Sequence, residues 1–240
     1  MLLDFLAGVR MILVCCFMLS YIIVGIPILT YCRITKDPHL ALYFTKLLDR
    51  MILFLGRVRL EVTGLEKLDP KRGCVYVGNH RSHVDSASIF AACPADARFL
   101  IKKEVFRIPL VSFALRTMGM IEVDRSNSDA ASRSIDRAVS EIQSGTSIIL
   151  FPEGTRSRYP HILPFKKGAF VLAIRSQAPV VPFTVIGADR ALKPDTLLLY
   201  GGPVRLIFHD PIETKGMDLE DRQFLLEKTQ KTVESAFHLK

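Results

Sequence analysis

Residues 11–32 carry no charge, and Arg10 and Arg33 close the run at either end. As a helix, a run of that length reaches about 33 Å, enough to cross a hydrocarbon core of roughly 30 Å. A secretory signal peptide would have a shorter apolar region followed by a small-x-small cleavage site. The residues Ile28-Leu29-Thr30-Tyr31-Cys32 offer no such site, so a membrane anchor is expected. Gly25 and Pro27 are expected to bend the helix near its end. Over residues 39–60, Leu40, Tyr43, Phe44, Leu47, Leu48, Met51, Ile52 and Leu55 recur at helical spacing, interrupted by Lys46, Asp49, Arg50 and Arg57. That pattern predicts an amphipathic helix that lies in an interface or packs on the main domain. The anchor is therefore either a single span or a helix pair in one leaflet. In both geometries the main domain faces the cytoplasm, because Arg33, Lys36, Lys46 and Arg50 follow the apolar run against Arg10 alone before it.

Net charge sharpens this reading. The 240 residues carry 32 Lys and Arg against 24 Asp and Glu, a balance of +8 that favours an anionic partner. A mean hydropathy of +0.26 is high for a nucleic-acid binder and points to an anionic membrane surface, with no nucleic acid expected. The five cysteines, at 15, 16, 32, 74 and 93, show neither a disulfide framework nor zinc-ligand spacing, and read as small apolar residues in a reducing compartment.

After residue 57 the pattern changes. Short runs rich in Val, Ile and Phe predict strands at 58–63, 74–78, 98–101, 120–123, 147–151, 180–186 and 204–208. Between them, helical patterns cover 85–92, 109–117, 129–144, 166–176 and 219–237. Such alternation predicts an α/β fold, a mixed and largely parallel sheet covered by helices. Two units follow: N-terminal membrane-associated helices over 1–56 and a catalytic domain over 57–240. Ligands of open α/β sheets bind on the loops beyond the strand ends, so four loops hold the candidates.

The first reads Gly78-Asn79-His80-Arg81-Ser82-His83-Val84-Asp85. If the turn brings His80 and Asp85 together, the carboxylate fixes one ring nitrogen and leaves the other as a base. The second places Lys102 and Lys103 at a strand end, and the third ends a strand with Asp124-Arg125. The fourth is Phe151-Pro152-Glu153-Gly154-Thr155-Arg156-Ser157. Its glycine lets backbone approach a ligand closely, and exposed amides, the Thr155 hydroxyl and the Arg156 fork suit a phosphate. Glu153 would steady that fork or accept from a substrate hydroxyl.

Taken together, these loops resemble the glycerolipid acyltransferase family that acylates lysophosphatidic acid. His-x4-Asp at 80–85 matches its first motif, Lys102 and the run 119–125 its second region, 151–157 its third, and Val180-Val181-Pro182 its fourth. Glu122 departs from the apolar residue common at that position. The resemblance covers residues 58 to about 210. It implies transfer of an acyl group from coenzyme A or acyl carrier protein to the sn-2 hydroxyl of 1-acyl-sn-glycerol 3-phosphate, giving phosphatidic acid for phospholipid biosynthesis. No cofactor or metal is implied. His80, oriented by Asp85, would be the base, and Lys102 and Arg156 would bind the phosphate, with Glu153, Gly154, Thr155 and Arg125 shaping the pocket. His83 has no role in the family and reads as a surface residue. With the domain on the cytoplasmic face, the expected membrane is the bacterial inner membrane.

Besides acyl transfer to another lysolipid acceptor, two readings of a different class compete. His80, His83 and Asp85 have a spacing that suits a metal-dependent phosphatase or hydrolase. A membrane-bound lipid-binding module without turnover is the other.

Overall fold

The computed structural model describes residues 1–124 and 128–237. Seven strands form one sheet: β1 (Val58–Thr63), β2 (Val75–Gly78), β3 (Ala97–Lys102), β4 (Ile121–Val123), β5 (Ser147–Leu150), β6 (Val180–Ile186) and β7 (Gly202–Phe208), in the order β1-β7-β6-β2-β5-β3-β4. All pairings are parallel except β6 with β7. The mixed, largely parallel sheet expected from the alternation is present. Edge strand β1 alternates between covered and exposed positions, whereas the interior strands β2, β5 and β6 are buried throughout. Continuous apolar runs are what a strand needs when helices cover both its faces.

The helices are α1 (Leu2–Thr35), α2 (His39–Leu55), α3 (His83–Ala92), α4 (Pro109–Thr117), α5 (Ser128–Gln143), α6 (Gly168–Ser176), α7 (Ala188–Ala191) and α8 (Arg222–Phe237). Successive strand residues serve opposite faces. Tyr76, Ile149, Val181 and Phe183 join a core with residues of α1, α2 and α3. Val75, Val77, Ile148 and Val180 join another with α5, α6 and α8.

The first helix is longer than its apolar run, and Pro27 lies inside it without ending it. Proline removes one rung of the hydrogen-bond ladder, and the turns on either side of it stay helical. By length and composition α1 is able to cross a membrane. Ala7, Val14, Gly25 and Cys32 are buried along its length, while Leu3, Ile12, Leu19 and Ile23 are exposed. Tyr21 stacks on Phe44 of α2 with ring centroids 3.9 Å apart. Near the N-terminal end, Arg10 donates to the Tyr200 carbonyl and Tyr200 donates to Asp4.

The second helix packs on the domain. Its Leu42 and Leu53 are buried in the same core as the sheet. Lys46 donates to the carbonyls of Cys93 (2.8 Å) and Ala95 (3.1 Å), and Arg50 donates to that of Ala91 (3.1 Å). These two cations, counted from sequence among the flanks of the apolar run, thus satisfy carbonyls at and just beyond the C-terminal end of α3.

Candidate active site

β2, β3, β4 and β5 run in one direction, so the loops that follow them lie along one edge of the sheet. The loops after β2 and β5 are direct neighbours. The chain leaves β2 at Gly78, where a Cβ would meet the Phe183 ring at 2.3 Å, so only glycine fits. Asn79 is fully buried, and its amide bonds both backbone groups of Val185 at 2.8 Å, extending the pairing with β6 by a side chain.

His80 follows, held from four directions. Its Nδ1 lies 3.0 Å from Asp85 Oδ2. Its backbone N–H donates to Glu153 Oε1 at 2.5 Å, and its carbonyl accepts from Ser157 N at 2.8 Å. Its ring stacks on Phe151 with centroids 4.1 Å apart. Asp85 Oδ2 also accepts from the amides of Arg81 (2.5 Å) and Ser82 (2.6 Å). With Ser82 as N-cap, the carboxylate completes a capping box that starts α3. One buried carboxylate thus starts the helix and orients the imidazole. With Nδ1 donating to it, Nε2 is the basic nitrogen.

The loop after β5 turns at Gly154, where φ is 77°. Glu153 is 2% exposed, and its second oxygen accepts from Leu163 N at 2.8 Å. Burial pushes its carboxyl up to about 7, against the pull of those two amides. This differs from the expected pairing with Arg156: both oxygens of Glu153 accept from backbone amides, and the side chain clamps the β5 loop to the backbone of His80. Two N–H donors in a buried turn require an acceptor, and the carboxylate supplies it. Thr155 is exposed and Arg156 half-buried. Among the described residues, Arg156 makes no hydrogen bond or ion pair with protein.

Lys102 ends β3, two strands from β2 or about 10 Å at ordinary strand spacing, and pairs with Glu104 at 3.3 Å. The fold brings it to the same edge but not beside His80. Arg125 lies outside the described residues. Val180-Val181-Pro182 is buried inside β6 and supports the sheet.

His83, read from sequence as a surface residue, is exposed, and it also lines a cavity beside the loop. It is the first residue of α3 and lines that apolar cavity, of about 370 Å³, together with Val84, Phe90, Leu53 and Met118. Partial burial, then the charges of Arg156 and His80, hold its imidazole below the ordinary histidine range, while Asp85 acts the other way. Asp49 lines the same cavity, and burial pushes its carboxyl up to about 8. Among the described residues, no group of three His, Cys, Asp or Glu side chains is placed to hold a metal ion.

The loop after β2 thus holds an oriented imidazole, the loop after β5 brings Arg156 to the same edge of the sheet, and His83 lines an apolar cavity. A sequence model of the acyltransferase family matches residues 59–186, so the chain belongs to that family. It is 34% identical over 163 residues to the 1-acyl-sn-glycerol-3-phosphate acyltransferase BAT2 of Brassica napus, covering 67% of this chain and 47% of that one. It is 33% identical over 165 residues to a Limnanthes douglasii enzyme of the same name, covering 68% and 58%. The chain thus spans about half the length of these curated relatives. The crystal structure of the 1-acyl-sn-glycerophosphate acyltransferase PlsC from Thermotoga maritima superposes with a TM-score of 0.79 at 24% identity, over 97% of this chain and 95% of that one. It shares the fold throughout, α1 and α2 included.

Proposed function

We propose that this protein transfers an acyl group from a thioester to the sn-2 hydroxyl of 1-acyl-sn-glycerol 3-phosphate, forming phosphatidic acid. One observation carries the reading: His80 has Nδ1 committed to Asp85 and its backbone clamped by Glu153 and Ser157. Nε2 takes the hydroxyl proton as the oxygen attacks the thioester carbonyl. The tetrahedral intermediate then expels the thiolate, which recovers the proton from His80. Holding both substrates at that nitrogen makes direct transfer sufficient, without an acyl-enzyme. The activity for which the two plant relatives are named supports the acceptor.

The donor carries its acyl group on coenzyme A or acyl carrier protein, and the apolar cavity between α2, α3 and the sheet takes its chain. The exposed apolar side of α1 enters a membrane with the domain on the cytoplasmic face, in a bacterium the inner membrane. Burial at Ala7, Val14, Gly25 and Cys32 ties α1 to the domain along its length, which favours a helix pair lying in one leaflet over a span.

Purified protein in anionic vesicles containing 1-acyl-sn-glycerol 3-phosphate tests this, with each thioester supplied in turn. Release of free thiol with stoichiometric phosphatidic acid is expected from at least one donor. Thiol release without a new lipid ester, or no reaction with either donor, would overturn it.

A further inference from the structure

We propose that the corner between β3 and α4, residues 105–110, is a second membrane-contacting element that enters the lipid surface beside α1. The inference rests on the proposed placement of α1 in a membrane, and it adds a part of the catalytic domain to that interface.

Outside α1 and α2, eight large apolar side chains are exposed among the described residues, and three of them, Val105, Ile108 and Leu110, fall within six positions. Arg107 and Pro109, between them, are exposed as well. The arrangement has a local cause. Lys103–Arg107 forms a 3-10 turn, and in that geometry side chains three residues apart share one side, so Val105 and Ile108 stand together. Phe106 is buried instead, with the Arg116 guanidinium 5.2 Å from its ring centroid, which pins the turn to α4. An apolar cluster left exposed on a folded surface marks a contact.

Its neighbours identify what covers it. Leu110 lines an apolar cavity of about 260 Å³ together with Met18, Ile22 and Ile26 of α1. All four side chains are also exposed, so the outward apolar surface of α1 continues onto the start of α4. A lipid surface that receives α1 therefore meets Leu110 and, two residues before it, Ile108. Arg107 suits that boundary, because its long stem tolerates apolar surroundings while its fork reaches a lipid phosphate. The corner follows β3 directly, at the sheet edge that carries the loop of His80. Lipid contact there holds that edge against the leaflet from which an amphiphilic acceptor is drawn.

The chain contains no tryptophan, so a single introduced one reports its own surroundings. Full-length Ile108→Trp and Leu110→Trp are reconstituted with vesicles of phosphatidylcholine and phosphatidylglycerol, with and without bromine on the acyl chains of the phosphatidylcholine. Ile23→Trp, on the exposed side of α1, and Phe224→Trp, on α8 across the sheet, serve as references. All four positions are exposed, and circular dichroism checks that each variant is folded. Bromolipid should quench Ile108→Trp and Leu110→Trp to an extent comparable with Ile23→Trp, with emission shifted to the blue, while Phe224→Trp stays unquenched. Emission that bromolipid leaves unchanged at both corner positions would overturn the proposal, whether the residues stay in water or, blue-shifted, are covered by another protein chain. Equal quenching at Phe224→Trp would overturn it too. Quenching at the corner without quenching at Ile23→Trp would keep the corner in lipid and reject the placement of α1. The reverse pattern would keep α1 in the membrane and reject the corner.

Discussion

The imidazole of His80 lies face to face with the ring of Phe151, 4.1 Å between centroids and 14° from parallel. Phe151 in turn meets Phe183 edge-on at 5.8 Å, so the base rests on a platform from β5 and β6. Replacing Phe151 by Leu keeps an apolar residue but removes the flat support. A kcat lowered about tenfold, with both KM values near normal, is expected from a loosened base. Unaltered kcat would mean that Asp85 and the backbone clamp fix the ring by themselves.

His80→Ala should lose roughly 10²- to 10⁴-fold in turnover while remaining folded and membrane-bound, since only the side chain leaves. Circular dichroism and vesicle flotation supply the controls. Near-normal turnover would sink the mechanism. Asp85→Asn is expected to differ in kind. Three donors converge on Oδ2, so the variant should lose thermal stability as well as activity.

Glu153 gives a pH signature. Its folded carboxyl titrates at about 7, against an ordinary 4.5. Between those values the folded protein holds a proton that the unfolded chain has released, so stability falls as pH rises through that window and levels off above it. Glu153→Gln should flatten this slope, read from urea denaturation at pH 4.5 to 8. Parallel curves for the two proteins would refute the account. The variant should also lower kcat, because an amide accepts from one of the two N–H groups and presents its own donors to the other.

Arg156→Lys keeps the charge and loses the fork, so KM for lysophosphatidic acid should rise more than KM for the thioester. Lys102→Ala should change either KM by less than about twofold, given its pairing with Glu104. A larger effect at Lys102 than at Arg156 would reverse the assignment of the phosphate site.

Several elements were legible because their signals are local. The strands at 58–63 and 180–186 and the helix at 109–117 fall where pattern and punctuation put them. The His80–Asp85 pair was readable too, since both lie in one turn. Glu153 was not: its role depends on an amide 73 residues away, and its sequence neighbour Arg156 suggested a pairing that does not form. For Lys102, sequence places the cation at a strand end without saying how many strands separate it from β2. The antiparallel β7 beside β6 is likewise a matter of chain path, which periodicity does not encode.

α3 begins in the Ser82–Asp85 box beside the base and ends against Lys46 and Arg50 of α2. Ten residues of rigid rod, about 15 Å, thus join α2 to the turn that holds His80. Any tilt imposed on α2 by its surroundings is a tilt of the strut that carries the base. On the proposed membrane placement, bilayer thickness and lateral pressure become inputs to turnover alongside substrate concentration.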